Sequence, residues 1–298
     1  MRSSYWNGRS LRGTTIGRYL RRFRKSKMPR KNKQRTASIK SMTLIRKVII
    51  AVPARLKSSR LPGKVLADIN GKPMLLRVLE RCSLSQKCDE VVVCTDSQEI
   101  LNLSAEWGFR SVQTPSTCTS GSERIGHALK ELIGPTPIDN SLIVNVQGDQ
   151  PFVEPALIDK MISHCSSLDE IPDVVTPVYR LTDTEKINNP NIVKVVIRRD
   201  GRALYFSRAP IPWERDRSPS FKRTSWGHVG IYAYKASVLA EWLKLPDSDL
   251  EKMEQLEYLR LLDHGYTIET ITTENGSLSV DTAGQLEEAI LLARSLES

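Results

Sequence analysis

Val48-Ile49-Ile50-Ala51-Val52, running straight into Pro53-Ala54-Arg55-Leu56-Lys57-Ser58-Ser59-Arg60-Leu61-Pro62-Gly63-Lys64, decides the fold of this chain. The apolar run reads as a buried parallel strand. The segment after it packs Arg55, Lys57, Arg60 and Lys64, two serine hydroxyls and Gly63 into a loop. A loop at the carboxyl end of a parallel strand is where open α/β sheets bind ligands. Cations and free backbone N–H groups at such a place suit a polyphosphate. A merely solvated basic turn is the competing reading, and Lys57 fits it best. The buried strand before the loop and the pattern of the later chain favour the ligand reading.

Outward from this stretch, strands and helices alternate. Residues 73–82 have helical spacing with a proline at the start, and 90–95 form a second strand ending at Asp96. A helix over 97–107 is stopped by Gly108, and another covers 122–133. Residues 141–146 form a third buried strand that ends in Gln147-Gly148-Asp149-Gln150, followed by a helix over 154–165 and a strand over 173–179. This alternation predicts an α/β fold with a doubly wound, mostly parallel sheet. Beyond about residue 180 the pattern changes. Residues 192–197 and 203–206 flank Asp200-Gly201, a hairpin signal, and 229–234 read as a strand. Loop chemistry dominates between Arg208 and Gly227. An amphipathic helix spans 250–264, a strand 267–272 and a closing helix 285–296. The expectation is one α/β domain over 47–298, with a β-rich region inserted at about 180–235.

The net charge of +10 is unevenly spread. Residues 1–46 hold fifteen of the 44 Lys and Arg and none of the 34 Asp and Glu, so 47–298 carries a net −5. The basic extension has little apolar content to bury and is expected to be disordered. A start at Met42 instead of Met1, with the domain beginning just after it, is the favoured account. Organelle targeting, which its Arg- and Ser-rich, acid-free composition also suits, and non-specific binding to nucleic acid or membrane are the alternatives. The acidic balance of 47–298 and its few clustered aromatics argue against a nucleic-acid groove. No run of 18 apolar residues exists, so no transmembrane helix is expected, and no secretory h-region is present. The five cysteines, 82, 88, 94, 118 and 165, form no CxxC pair and lie beside no histidine cluster, which points away from disulfides and zinc and toward a reducing, cytoplasmic setting.

The third strand delivers Asp149 to the carboxyl edge of the sheet, and Ser279-Val280-Asp281-Thr282 presents a second carboxylate far downstream. Two such carboxylates suit Mg²⁺, which takes one or two of them and completes its shell with phosphate and water oxygens. Taken singly, each is more often a helix cap. Arg55, Arg60 and Lys64 suit a triphosphate and the charge that builds on departing pyrophosphate. Leu-Pro-Gly-Lys-Val is no P-loop, and GxGxxG and GxSxG are absent, which excludes the commonest dinucleotide and serine-hydrolase frames.

These residues resemble a known family. The 53–64 segment, Ser120-Gly121-Ser122-Glu123-Arg124 and Asn145-Val146-Gln147-Gly148-Asp149 look like the sugar nucleotidyltransferases that activate acidic sugars with CTP. Asn189-Pro190-Asn191-Ile192-Val193-Lys194-Val195-Val196, Ala203-Leu204-Tyr205-Phe206-Ser207-Arg208-Ala209-Pro210-Ile211-Pro212-Trp213 and His228-Val229-Gly230-Ile231-Tyr232 are similar to the CMP-Kdo synthetase (3-deoxy-manno-octulosonate cytidylyltransferase) family. The resemblance runs from about residue 47 to the C-terminus. It implies a Rossmann-like nucleotidyltransferase fold and transfer of CMP from CTP to Kdo with release of pyrophosphate, for lipopolysaccharide or plant pectin. It implies that Pro53, Ala54, Arg55, Ser59, Arg60 and Lys64 hold the nucleotide, with Gly121 and Arg124 near it. Asp149 and Asp281 would hold Mg²⁺, and Gln147 would lie beside both nucleotide and sugar. Arg208, His228, Tyr232 and Glu257 would surround the sugar, and a homodimer would form around 180–235.

The chain departs from the family pattern at four places. Gln150 stands for Glu, Tyr258 for Gln, Gln285 for Asp and Cys118 for His. Gln150 removes a negative charge beside the expected metal, and Tyr258 replaces an amide expected to face the sugar. An altered acidic sugar such as 8-amino-Kdo, or a catalytically inactive relative, is therefore the alternative expectation.

Overall fold

The computed structural model describes residues 44–57, 61–215 and 225–297. The basic extension up to residue 43, and with it the expectations for that segment, lies outside the described residues, as do Ser59 and Arg60.

Strand β1 (Lys47–Ala54) is buried along almost its whole length. Ile50 and Val52 pack into one core cluster while Ile49 and Ala51 pack into the other, the period-2 alternation of a strand covered on both faces. A small hairpin follows, β2 (Asp68–Ile69) and β3 (Lys72–Pro73). Next come α1 (Met74–Ser83), β4 (Glu90–Thr95), α2 (Gln98–Glu106), β5 (Arg110–Gln113), α3 (Gly121–Ile133), β6 (Ser141–Val146), α4 (Pro155–Ser166) and β7 (Val174–Leu181). The later chain supplies α5 (Thr184–Asn188), β8 (Lys194–Ile197), β9 (Ala203–Ser207), β10 (Ser225–His228) and β11 (Ile231–Lys235). It closes with α6 (Ala236–Trp242), α7 (Asp249–Glu254), α8 (Leu259–Asp263), β12 (Ile268–Thr273) and α9 (Ala283–Glu297).

The large sheet has the order β5-β4-β1-β6-β11-β7-β10-β8-β9, with β12 also paired to β7. Pairs β5–β4, β4–β1, β1–β6 and β7–β12 are parallel. β11 lies between β6 and β7 and is antiparallel to both, so β7 still runs with the parallel set. The α/β class and the mainly co-directional central sheet are as the sequence predicts. Helices α1 and α4 cover one face through Val78, Leu79, Ile158 and Met161, and α3 and α6 cover the other through Ile125, Leu129, Leu239 and Trp242. Each such fully buried aliphatic side chain contributes about 1.5–3 kcal/mol of transfer free energy.

Three details differ from the sequence reading. The single helix expected over 250–264 is two short helices, α7 and α8. Gln255 takes the left-handed conformation, φ 53°, and ends α7 there. The strand expected over 229–234 is β11, which starts only at Ile231, and a separate strand, β10, precedes it from Ser225, within what reads as loop. Strand β5 carries no apolar run, since only Val112 of its four residues is buried. The Asp200-Gly201 hairpin forms between β8 and β9, with Gly201 at φ 84°. Among the described residues no helix is long and apolar enough to cross a membrane.

Candidate active site

The parallel pairing of β1 with β6 brings their carboxyl ends side by side. The residues that leave them face one cleft of about 180 Å³. Pro53, Ala54 and Arg55 come from the end of β1, Gln147, Gly148 and Asp149 from the end of β6, and Gly121 and Arg124 from the start of α3. Lys64 enters from the turn beyond the loop and Asp281 from the segment before α9. Cys118 lines the same wall and is buried. A larger hollow of about 580 Å³ lies under α9, but of its cations Lys72 and Arg77 are paired with Glu80 and Glu297, and Arg81 Nε donates to the Val153 carbonyl.

The two carboxylates expected at a metal converge on one point. Lys64 Nζ lies 2.5 Å from Asp149 Oδ2 and 2.7 Å from Asp281 Oδ1. Burial pulls the Lys64 ammonium toward its neutral form, but Asp149 and Asp281 outweigh it, so its pKa is raised and it stays cationic. The segment carrying Asp281 is tied to β6 by Val280 N donating to Asp149 O at 2.9 Å and by Ser279 Oγ donating to Asp149 Oδ1 at 3.3 Å. Among the described residues no three His, Cys, Asp or Glu side chains gather as a metal set. A pair of carboxylates already seated around one cation, in a cleft open to phosphate and water oxygens, fits Mg²⁺ and not a closed all-protein cage.

Gly121 and Arg124 line the cleft without offering it free charge. Arg124 is buried, donates to Thr114 Oγ1 at 2.6 Å and sits 3.3 Å from Asp96. At Gly121 a Cβ would come within 3.0 Å of Gln147 Oε1 and 3.1 Å of Pro53 Cγ. The residue is glycine because the Gln147 amide and the Pro53 ring occupy that space.

The residues expected around the sugar form a second group beside the cleft. His228, Tyr232, Tyr258 and Phe206 make a ring cluster with centroids 4.6–5.4 Å apart. His228 Nε2 lies 2.8 Å from Thr176 Oγ1, whose own proton is given to the Ile231 carbonyl at 2.8 Å. Thr176 therefore accepts from Nε2–H, and Nδ1 of the neutral ring is left as an acceptor. Enclosure pushes the imidazolium pKa down to about 3, so the ring is neutral at working pH. Glu257 lies in the break between α7 and α8 instead of on a helix, a placement set by the left-handed Gln255. It reaches the start of α3, where Ser122 Oγ donates to Oε1 at 2.8 Å and Ser122 N to Oε2 at 3.4 Å. Burial raises its pKa, and hydrogen bonds from Ser120 and Ser122 oppose that rise.

Arg208 is held, and so positioned, by backbone carbonyls: Nε donates to Glu254 O at 2.8 Å, Nη1 to Pro190 O at 3.1 Å and Nη2 to Gln255 O at 3.4 Å. Among the described residues these contacts use three of its five N–H groups and leave two for a ligand. The buried Lys194 ammonium secures the same corner, donating to the carbonyls of Asn189, Ile192 and Arg208. Gln150 does not line the cleft. Its Nε2 donates to Gly230 O at 3.1 Å, where a carboxylate would meet that carbonyl with like charge. All five cysteines are free thiols, and burial pushes Cys94 and Cys165 up to about 12. Sequence reasoning assigned no role to Ser122, Asn145 or Thr176. All three are buried polar side chains, a property that sequence pattern does not display.

A Cytidylyltransferase family model matches residues 49–271. The chain is 40% identical over 248 residues to the 3-deoxy-manno-octulosonate cytidylyltransferase of Chlorobaculum tepidum, covering 83% of this chain and 97% of that protein. It is 44% identical over 251 residues to the protein of that name from Polynucleobacter necessarius, covering 83% and 96%. Among solved structures it is similar to CMP:2-keto-3-deoxy-manno-octonic acid synthetase complexed with CTP, with a TM-score of 0.75 and 34% identity over 84% of this chain and 99% of that one. A putative glucose-1-phosphate thymidylyltransferase from Bacillus anthracis in complex with sucrose matches at TM-score 0.57 and 15% identity over 83% of this chain and 95% of that one, a likeness of fold alone.

Proposed function

The chain belongs to the 3-deoxy-manno-octulosonate cytidylyltransferase family, and from that premise we propose that it transfers CMP from CTP to the anomeric hydroxyl of Kdo, releasing pyrophosphate. The observation that carries the reading is the convergence of Lys64, Asp149 and Asp281 in one cleft with Arg55 and Gln147. The anomeric hydroxyl oxygen attacks the α-phosphorus in line, the new O–P bond forms as the hydroxyl gives up its proton to solvent, and the bond to the bridging oxygen of pyrophosphate breaks. Arg55 and Lys64 neutralise the triphosphate and the charge that accumulates on the leaving group. Ser59 and Arg60, in the same loop, are assigned to that task by their place in the sequence. Asp149 and Asp281 would hold Mg²⁺, which when bound supplies positive charge to the phosphate oxygens.

On the sugar side, Arg208 offers its two remaining N–H groups to the Kdo carboxylate. His228 Nδ1 and the Glu257 carboxylate accept from sugar hydroxyls, and Tyr232 packs the wall. Because His228 is neutral, it recognises a hydroxyl and leaves the carboxylate to Arg208. The active form is a homodimer built on residues 180–235, working in the cytoplasm. Pyrophosphate release from the full chain with CTP, Mg²⁺ and Kdo tests the reading, with UTP, 8-amino-Kdo and sialic acid as parallel arms. Release with CTP and Kdo supports it. Release only with 8-amino-Kdo keeps the chemistry and moves the sugar, with Tyr258 as the residue to exchange. No release from any pair overturns it.

A further inference from the structure

Glu257 and Gln147 both approach the start of α3, and two fully buried side chains join them. Ser122 Oγ donates to Glu257 Oε1 at 2.8 Å. Asn145 Nδ2 donates to Ser122 Oγ at 3.3 Å, and Gln147 Nε2 donates to Asn145 Oδ1 at 2.9 Å. Tyr234 OH, 3.1 Å from Ser122 Oγ, fills the remaining acceptor site of that hydroxyl.

The direction of this chain is forced from one end. An ionised carboxylate only accepts, so the single Ser122 proton must go to Glu257. Ser122 Oγ can then only accept, which turns the Asn145 amide so that Nδ2 faces it. Asn145 Oδ1 is left facing Gln147, whose Nε2 must donate. The Gln147 carbonyl, Oε1, is thereby left for the cleft that Gln147 lines. Both Asn145 and Ser122 are fully buried, so no water offers either an alternative partner.

We propose that Ser122 and Asn145 are positioning residues that carry the acceptor character of Glu257, through a one-way chain of hydrogen bonds, to Gln147. The chain fixes the Gln147 amide so that it presents a carbonyl to the bound substrates and selects a hydroxyl or amino hydrogen there. The inference rests on the function proposed above, and turnover of CTP and Kdo by the unmodified full chain is the control that separates failure of that function from failure of the chain.

The test is a double-mutant cycle on kcat/KM for the sugar. Gln147→Glu sets a carboxylate oxygen against Asn145 Oδ1, and Glu257→Gln leaves one carbonyl oxygen for the two Ser122 donors, N–H and Oγ–H, that the carboxylate accepts. Each alone is expected to cost about tenfold or more, the size of one lost buried hydrogen bond. Together they allow every link to reverse: Gln at 257 donates to Ser122 Oγ, Ser122 to Asn145 Oδ1, and Asn145 Nδ2 to the new carboxylate. The double variant is therefore expected to be no worse than the poorer single one. Losses that multiply to about a hundredfold overturn the proposal. Repeating the cycle with Ser122→Ala removes the link, and the relief should vanish. Relief that persists would place the coupling in the bound substrate and overturn the roles of Ser122 and Asn145. Asn145→Ala cuts the same chain one step on and decides the question in the same way if Ser122→Ala does not fold.

Discussion

His228 ties acid sensitivity to the ring cluster beside the cleft. Its ring is enclosed by Phe206, Tyr232 and Tyr258 at centroid distances of 5.1, 5.4 and 4.9 Å, and its pKa falls from 6.5 to about 3 in the folded state. A depressed folded value means that the unfolded chain binds the proton more readily. The stabilising contribution is fully present above about pH 6.5 and is lost as pH falls through the window toward 3. Between about pH 7.5 and pH 5 the loss amounts to about 2 kcal/mol, since roughly 1.5 units of that window at 1.36 kcal/mol each have been crossed. His228→Phe keeps a ring in the cluster and abolishes the titration. Urea unfolding followed by tryptophan fluorescence at the two pH values gives the difference between wild type and variant. That difference should move by about 2 kcal/mol in favour of the variant on acidification, whatever the fixed cost of losing the Thr176 hydrogen bond. A difference that is equal at both pH values refutes the neutral, enclosed histidine and the acceptor role derived from it.

Asp149→Asn should lower turnover by about 10³-fold with the fold retained, and chelation should abolish wild-type turnover until Mg²⁺ is restored; near-wild-type rates would remove Asp149 from the metal site. Gly121→Ala should leave the melting temperature within a few degrees, because helix starts tolerate alanine. It should lower kcat/KM about tenfold by displacing the Gln147 amide that lies 3.0 Å from the new Cβ, and an unchanged kcat/KM would argue against the close approach. Arg208→Ala should raise the sugar KM at least tenfold while moving that for CTP little. It should also cost about 1–3 kcal/mol of stability through the lost carbonyl contacts to Pro190, Glu254 and Gln255. Equal rises in both KM values would place Arg208 outside the sugar site.

What the sequence made legible was the half of the molecule governed by local pattern. The run 48–52 is apolar at every position because both faces of β1 are covered, and the loop after it could be read as a phosphate site because strand ends in parallel sheets face one edge. The break at Gln255 was not legible, since Leu250 to His264 keeps helical spacing and a left-handed glutamine leaves no mark in composition. The entry of β11 between β6 and β7 was equally hidden, because neighbourhood within a sheet is a long-range property. Asp149 and Asp281 could be nominated singly as carboxylates after apolar approaches. That both meet one lysine 85 and 217 positions from them emerges only from the folded chain.

The position of β11 also bears on how this protein can be made. Strands β1, β4, β5 and β6 can assemble as soon as they leave the ribosome, but the free side of β6 cannot close on β7, the next strand to emerge. It must wait until residues 231–235 have been synthesised, some 85 residues after β6 ends. During that wait an open strand of apolar residues is available to any other nascent chain, the kind of edge that invites misassembly. The strand that ends the exposure also brings Tyr232 and Tyr234 into place, so the step that protects the growing chain from its neighbours also begins to build the ring cluster around His228.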